Sequence, residues 1–198
     1  TTDSCDTLTG ECSNETAQHC IASCTNHVEC GYDDYCDSAT STCKPIPGVG
    51  YYSAGTFPIA IPDNTSDEVE DTITIDEQGR IQELNVKVLI KHTYSGDLTV
   101  TLTNGNQVLY LHNQTGAAGD NVYRVYDIAD ILDDADNLSV FAGQFASGDW
   151  TLTVHDWVTG DSGTVDYWAV YIKKVVCYTN DDCDDASACT IDTCDLNV

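Results

Sequence analysis

Methionine is absent from this 198-residue sequence, basic residues are scarce, and no cysteine lies between Cys43 and Cys177. Each shortage excludes something. Seven Lys and Arg stand against 33 Asp and Glu, a formal net charge of −26. That field repels phosphate backbones, so nucleic acid and anionic membrane surfaces are disfavoured as partners, while cations are attracted. No window approaches the ~20 consecutive apolar residues of a spanning helix, so membrane insertion is not expected. The chain starts at Thr1 with neither an initiator methionine nor a signal peptide, which reads as a piece of a larger secreted precursor.

What is present divides the chain in three. Cys5, Cys12, Cys20, Cys24, Cys30, Cys36 and Cys43 crowd the N-terminal end, and Cys177, Cys183, Cys189 and Cys194 the C-terminal end. The expected parts are a stapled module at residues 1–44, a cysteine-free domain at 45–176 and a partial cysteine-rich repeat at 177–198. The outer parts share a pattern, since "CTNHVECGYDDYCDSATSTC" and "CYTNDDCDDASACTIDTC" begin with the same cysteine spacing. Modules this short bury too little apolar surface to offset chain entropy, and disulfides, each worth ~2–4 kcal/mol, supply the difference. Cysteine in this quantity points to an oxidising, extracellular compartment. An odd count leaves a cysteine whose partner lies elsewhere, and the connectivity is open.

The middle reads as all-β. Alternation puts Leu84, Val86, Val88 and Ile90 on one face, Leu98, Val100 and Leu102 on one face of the next run, and Trp150, Leu152 and Val154 on one face of a later run. Gly, Asn, Asp and Ser clusters separate these runs with turn chemistry. "TVDYWAVYIKKVV" is apolar on both faces, as a strand between two layers would be. "IADILDDADNL" hints at a helical turn. Many short strands in one domain of this size predict a jelly-roll sandwich or barrel with small disulfide-rich flanking modules.

Two motifs carry a resemblance. The first is a strand ending in His92-Thr93-Tyr94, followed by Gly96-Asp97-Leu98 and an alternating strand. The second runs Gly148-x-Trp150-x-Leu152-x-Val154-x-Asp156, then a loop, then Gly163-Thr164 and Trp168 in a final strand. With "IAIPDN" before them, residues 51 to 173 resemble the P domain, also called the P/homo B domain, of subtilisin-like proprotein convertases and secreted bacterial proteases. "TNGNQ" stands where family members usually carry a proline-containing turn. The resemblance implies an eight-stranded jelly roll C-terminal to a protease domain, without catalytic residues of its own. Such a domain supports folding and stability of its catalytic neighbour, and in some bacterial enzymes it is removed during maturation or assists substrate binding.

Several constellations invite chemistry. His92, Ser95 and Asp97 contain the residue types of a hydrolytic triad, but no Gly-x-Ser-x-Gly surrounds Ser95, so a strand end and its turn are the expected reading. "HCIASCTNHVEC" groups His19, Cys20, Cys24, His27 and Cys30, but irregularly for zinc, and such cysteine density belongs to a disulfide framework. Calcium is the metal the composition favours, because hard cations take oxygen ligands from acidic loops. The expected ligands are the strand-end carboxylates Asp63, Asp97, Asp127, Asp156 and Asp161. Asn-x-Ser/Thr sequons occur at Asn14, Asn64, Asn113 and Asn137. The leading reading is a non-catalytic accessory domain of a secreted protease, partnered by a neighbouring catalytic domain. The alternative is an extracellular module that binds carbohydrate or protein through aromatics such as Tyr51, Tyr52, Tyr123, Tyr126 and Trp157.

Overall fold

Alternation of apolar and polar residues becomes strand structure almost everywhere it was read. The computed structural model describes residues 23–63, 67–128, 130–133 and 137–175. Cys5, Cys12, Cys20, the four C-terminal cysteines, His19 and the sequons Asn14 and Asn64 lie outside the described residues. The chain divides into two compact units, Thr1–Ile46 and Pro47–Val198.

In the first unit, strands β1 (Asp34–Asp37) and β2 (Thr42–Pro45) form an antiparallel hairpin. Disulfides Cys24–Cys36 and Cys30–Cys43 staple it, so these sulfurs are not thiolate ligands for zinc. His27 is also engaged, its Nδ1 accepting from Cys36 N at 3.0 Å. The short helical turn His27–Glu29 is capped by Asn26, whose Oδ1 accepts from Val28 N, while Glu29 reaches back to Thr25 N at 2.6 Å.

The second unit is a jelly-roll sandwich. Its strands are β3 (Val49–Tyr52), β4 (Ile59–Ile61), β5 (Val69–Ile75), β6 (Arg80–His92), β7 (Leu98–Asn104), β8 (Gln107–Asn113), β9 (Val122–Tyr126), β10 (Gly148–Asp156) and β11 (Gly163–Val175). One sheet runs β5-β10-β7-β8 and the other β3-β11-β6-β9, with β4 also pairing β11. β3 and β4 occupy the same edge of β11, at Ala169–Ile172 and Gly163–Val165, so they act as one edge strand interrupted by residues 53–58. Counted that way there are eight strands in two sheets of four, all neighbours antiparallel.

The inward residues of both sheets form one core. Leu84, Val86, Val88, Ile90, Leu98, Val100, Leu102, Trp150, Leu152 and Val154 are all buried in it, with Val165, Trp168, Val170 and Ile172 from β11. The opposite face of β11 is buried too, at Tyr167, Ala169 and Tyr171, as its two-sided apolar pattern predicted. The Trp168 indole N–H donates to Asp71 Oδ2 at 2.5 Å, tying β11 to β5 across the two sheets.

The helical hint over residues 128–138 is not realised among the described residues. The helical turn begins at its end, Leu138–Phe141, capped by Asn137 Oδ1, and it buries Leu138 and Phe141. Phe141 packs 5.0 Å from the Trp150 ring, so tertiary burial rather than helical propensity sets this segment.

Candidate functional site

The two sequence motifs meet at one end of the sandwich. His92 is the last residue of β6 and shares the inward parity of Leu84, Val86, Val88 and Ile90; Asp156 is the last residue of β10 and shares the parity of Trp150, Leu152 and Val154. The strands belong to different sheets, so their inward side chains face each other. His92 Nε2 lies 3.2 Å from Asp156 Oδ2, with side-chain exposures of 0% and 1%. A carboxylate accepts only, so Nε2 carries the proton. In the neutral ring Nδ1 accepts from Tyr94 N at 3.2 Å, and in the cation it donates to Tyr94 O at 2.9 Å. Asp156 Oδ1 accepts from Val158 N at 3.3 Å.

The backbone around this pair is tightly specified. Asn121 Oδ1 accepts from His92 N at 3.1 Å, and Asn121 N donates to His92 O at 3.0 Å. A Cβ on Gly163 would sit 2.3 Å from Lys91 O and 2.4 Å from the His92 ring, which is why the Gly-Thr of the second motif needs glycine. Trp157 N donates to Asp97 O at 3.0 Å, clamping the loop after β10 to the turn before β7.

His92, Ser95 and Asp97 do not form a triad. The partner of His92 is Asp156, and Ser95 is buried in the turn Ser95–Asp97. Ser95 N donates to Gly119 O at 2.7 Å and Gly96 N to Ala117 O at 3.1 Å, which binds the turn to the loop at 116–119. The histidine nearest Ser95 in the hydrogen-bond network is His112, which sequence reasoning passed over. Its Nε2 donates to the Ser95 carbonyl oxygen at 2.8 Å, so it braces the turn instead of activating a hydroxyl. Asp133 sits behind it, 3.8 Å from Nδ1, and accepts from Asn113 N and Thr115 Oγ1 at 2.9 and 2.7 Å.

Of the five expected calcium ligands, the fold gathers Asp97, Asp156 and Asp161 at this end. The Asp97 carboxyl is pushed above its ordinary range, first by desolvation and then by the charges of Asp161 and Asp156. Asp161 Oδ1 accepts from Thr93 Oγ1 at 2.8 Å. Asp63 joins through the next loop, both its oxygens accepting from Gly160 N at 3.1 and 3.2 Å. Asp127 stands apart. It follows β9, whose Tyr126 pairs with Val86, six residues along β6 from His92 and hence roughly 20 Å away. Its carboxylate closes a turn with Asp130, each accepting from the other's N–H at 3.0 Å.

Asp97, Asp156 and Asp161 offer carboxylate oxygens, the donor type a hard cation takes, and of these the Asp156 oxygens are already engaged by His92 Nε2 and Val158 N. The packing is looser than a finished cage. Among the described residues, the group of three or more possible ligands whose atoms lie within 4.8 Å of one another is Cys24, Cys30 and Cys36, and these sulfurs are bonded in disulfides.

The aromatics considered for binding separate by exposure. Tyr126 is buried, and burial raises its phenol; Tyr51 and Tyr123 are half-buried. Tyr52 and Trp157 are exposed. Tyr110 was missed, although its alternation with Leu109 and Leu111 in "VLYLH" puts it on the outward face of β8.

Comparison with known proteins gives this geometry relatives. The chain is 30% identical over 129 residues to leupeptin-inactivating enzyme 1 of Streptomyces exfoliatus, covering 64% of this chain and 27% of that protein. It is 34% identical over 124 residues to the transglutaminase-activating metalloprotease of Streptomyces mobaraensis, covering 61% and 15%. To a calcium-dependent protease of Trichormus variabilis it is 29% identical over 109 residues, covering 53% and 16%. The chain thus spans between about a seventh and about a quarter of these relatives' lengths. Residues 81–172, from the start of β6 almost to the end of β11, match the family described as the proprotein convertase P-domain.

Proposed function

We propose that the chain is the non-catalytic accessory part of a secreted protease and supports the folding, stability or substrate engagement of an adjacent catalytic domain. The observation that carries this reading is the P-domain match over residues 81–172, together with relatives named as proteases in which the matching region is a minor share of the length. The local chemistry agrees. His92 is enclosed with Asp156, Ser95 is buried in a turn braced by His112, and neither is presented to a substrate. A compact, rigid sandwich with an acidic loop cluster is suited to packing against a neighbour, with calcium neutralising Asp97, Asp156 and Asp161. Two of the relatives are named calcium-dependent proteases, which favours calcium over other cations in this role.

The test is expression of the full precursor with and without residues 45–176. Deletion is expected to abolish soluble, active protease while leaving the catalytic residues untouched. Equal yield, melting temperature and turnover on protein substrates in the two forms would rule out the accessory role, and so would a precursor encoding no protease domain.

A further inference from the structure

The outward face of the β5-β10-β7-β8 sheet carries a feature that the accessory role does not use. Strand parity sends Thr151, Thr153 and His155 outward from β10, and Thr99, Thr101 and Thr103 outward from β7, opposite the buried Trp150, Leu152, Val154, Leu98, Val100 and Leu102. Register sets Thr153 beside Thr101, Thr101 beside Tyr110 and His155 beside Thr99, so hydroxyls pave the floor of a shallow groove.

At one end of that groove stands Trp157, half of whose surface, 50%, is exposed. Trp150 and Trp168, by contrast, are fully buried. The Trp157 indole N–H donates to Thr99 Oγ1 at 3.1 Å, and the ring lies 4.1 Å from that of His155 at an interplanar angle of 30°. Its backbone is fixed as well, by the bond from its N–H to Asp97 O. One ring face is therefore braced and the polar edge is satisfied, which leaves the remaining apolar surface held in place facing water. Tyr110, 40% exposed, lines the same groove from β8.

The charges around the groove decide what suits it. In a chain of net charge −26, its lining holds a single acid, Glu68, and Glu68 Oε1 lies 3.3 Å from His155 Nδ1. An anionic ligand meets no lysine or arginine in the lining, and a polycation meets one carboxylate, on Glu68, rather than an acidic cluster. The apolar area is too broken by hydroxyls for the dry centre of a protein interface. What remains is a neutral ligand with one C–H-rich face and a periphery of hydroxyl groups, for which the aromatic face is electronegative and complementary.

We propose that this groove binds neutral carbohydrate, with Trp157 as the stacking platform, Tyr110 as a second ring and the Thr99, Thr101 and Thr153 hydroxyls as hydrogen-bonding partners. This inference does not rest on the protease reading, since its ligand contacts are side chains on the outward face of the sheet and none of them is His92, Asp97, Asp156 or Asp161.

The 198-residue chain is titrated with neutral hexasaccharides of the gluco-, manno-, galacto- and N-acetylglucosamine series by calorimetry, with acrylamide quenching of tryptophan fluorescence followed in parallel. At least one series is expected to bind at micromolar to millimolar concentration and to shield the exposed indole. Trp157→Ala is expected to weaken that binding by about tenfold or more, and Tyr110→Ala to weaken it by less, whereas Tyr52→Ala, on the other sheet, leaves it unchanged. Circular dichroism and melting establish that each variant folds; should Trp157→Ala fail to fold, Tyr110→Ala decides. The proposal is overturned if no neutral series binds at millimolar concentration, if binding survives both groove substitutions, or if only heparin, polylysine or a second copy of the chain occupies the face.

Discussion

At the scale of single residues, the His92–Asp156 pair is tightly constrained chemistry among the described residues. Both side chains are essentially removed from water, and each remaining polar atom has a backbone partner at Tyr94 or Val158. A buried pair of this kind resists the loss of one member more than the loss of both, because a single substitution leaves the other group desolvated and unmatched. Breaking such a pair costs about 3–5 kcal/mol. His92→Leu and Asp156→Leu are each expected to lower unfolding free energy by that order in a urea titration, while the double variant is much less destabilised than the sum of the singles. Strict additivity would show that the two residues act separately. The first motif, His92-Thr93-Tyr94, marks the limit of reading this pair in sequence. The residue types were legible, but the partner of His92 is 64 positions away, in another sheet. Two strand registers had to be known before Asp156 could be preferred to the nearby Asp97.

Among the elements, legibility follows burial. β6, β7 and β10 alternate cleanly because one face of each is sealed in the core, and β11 reads as two-sided because both its faces are buried. β3 and β4 are short and partly exposed, so little distinguishes them in sequence from the loop that interrupts them. They are defined by their pairing with β11. A polar triad secures that edge. Tyr51 Oη and Lys174 Nζ each donate to Glu77 Oε2 at 2.6 Å, joining β3, the turn between β5 and β6, and β11. Lys174, and after it Tyr51, hold the Glu77 carboxyl below its ordinary value of 4.5. A depressed carboxylate means that the unfolded chain binds the proton more readily. Its stabilising contribution is therefore complete above that ordinary value and is lost as pH falls through the lower, folded-state value. Glu77→Gln is expected to flatten the acid limb of a plot of melting temperature against pH below about 4.5 and to leave the difference between pH 6 and pH 8 unaltered. A parallel offset at every pH would instead mark Glu77 as a packing residue.

For the molecule as a whole, charge is the governing quantity. All seven basic side chains lie among the described residues, and Lys44, Lys91, Lys173 and Lys174 are paired with Asp37, Asp166, Glu83 and Glu77. Most of the 33 acids therefore have no fixed cation, and their mutual repulsion works against the compact state. Simple salt screens such repulsion over a Debye length of about 8 Å at physiological ionic strength. Melting temperature should rise smoothly with sodium chloride as a consequence of composition alone. A site at Asp97, Asp156 and Asp161 predicts something further. Calcium should stabilise more than sodium chloride or magnesium at matched ionic strength, because the gain then follows occupancy; about 2.7 kcal/mol at a hundredfold excess over Kd corresponds to roughly 5–10 °C in a protein of this size. Asp97→Asn separates the two effects. It removes a ligand and also relieves the repulsion that holds the Asp97 carboxyl above its ordinary range. The calcium-free variant should thus melt no lower than the parent, keep the sodium chloride dependence and lose the calcium increment. Coincident curves for calcium, magnesium and sodium chloride in the parent chain would leave only diffuse screening, and the acidic end would then be a solvated surface rather than a binding site.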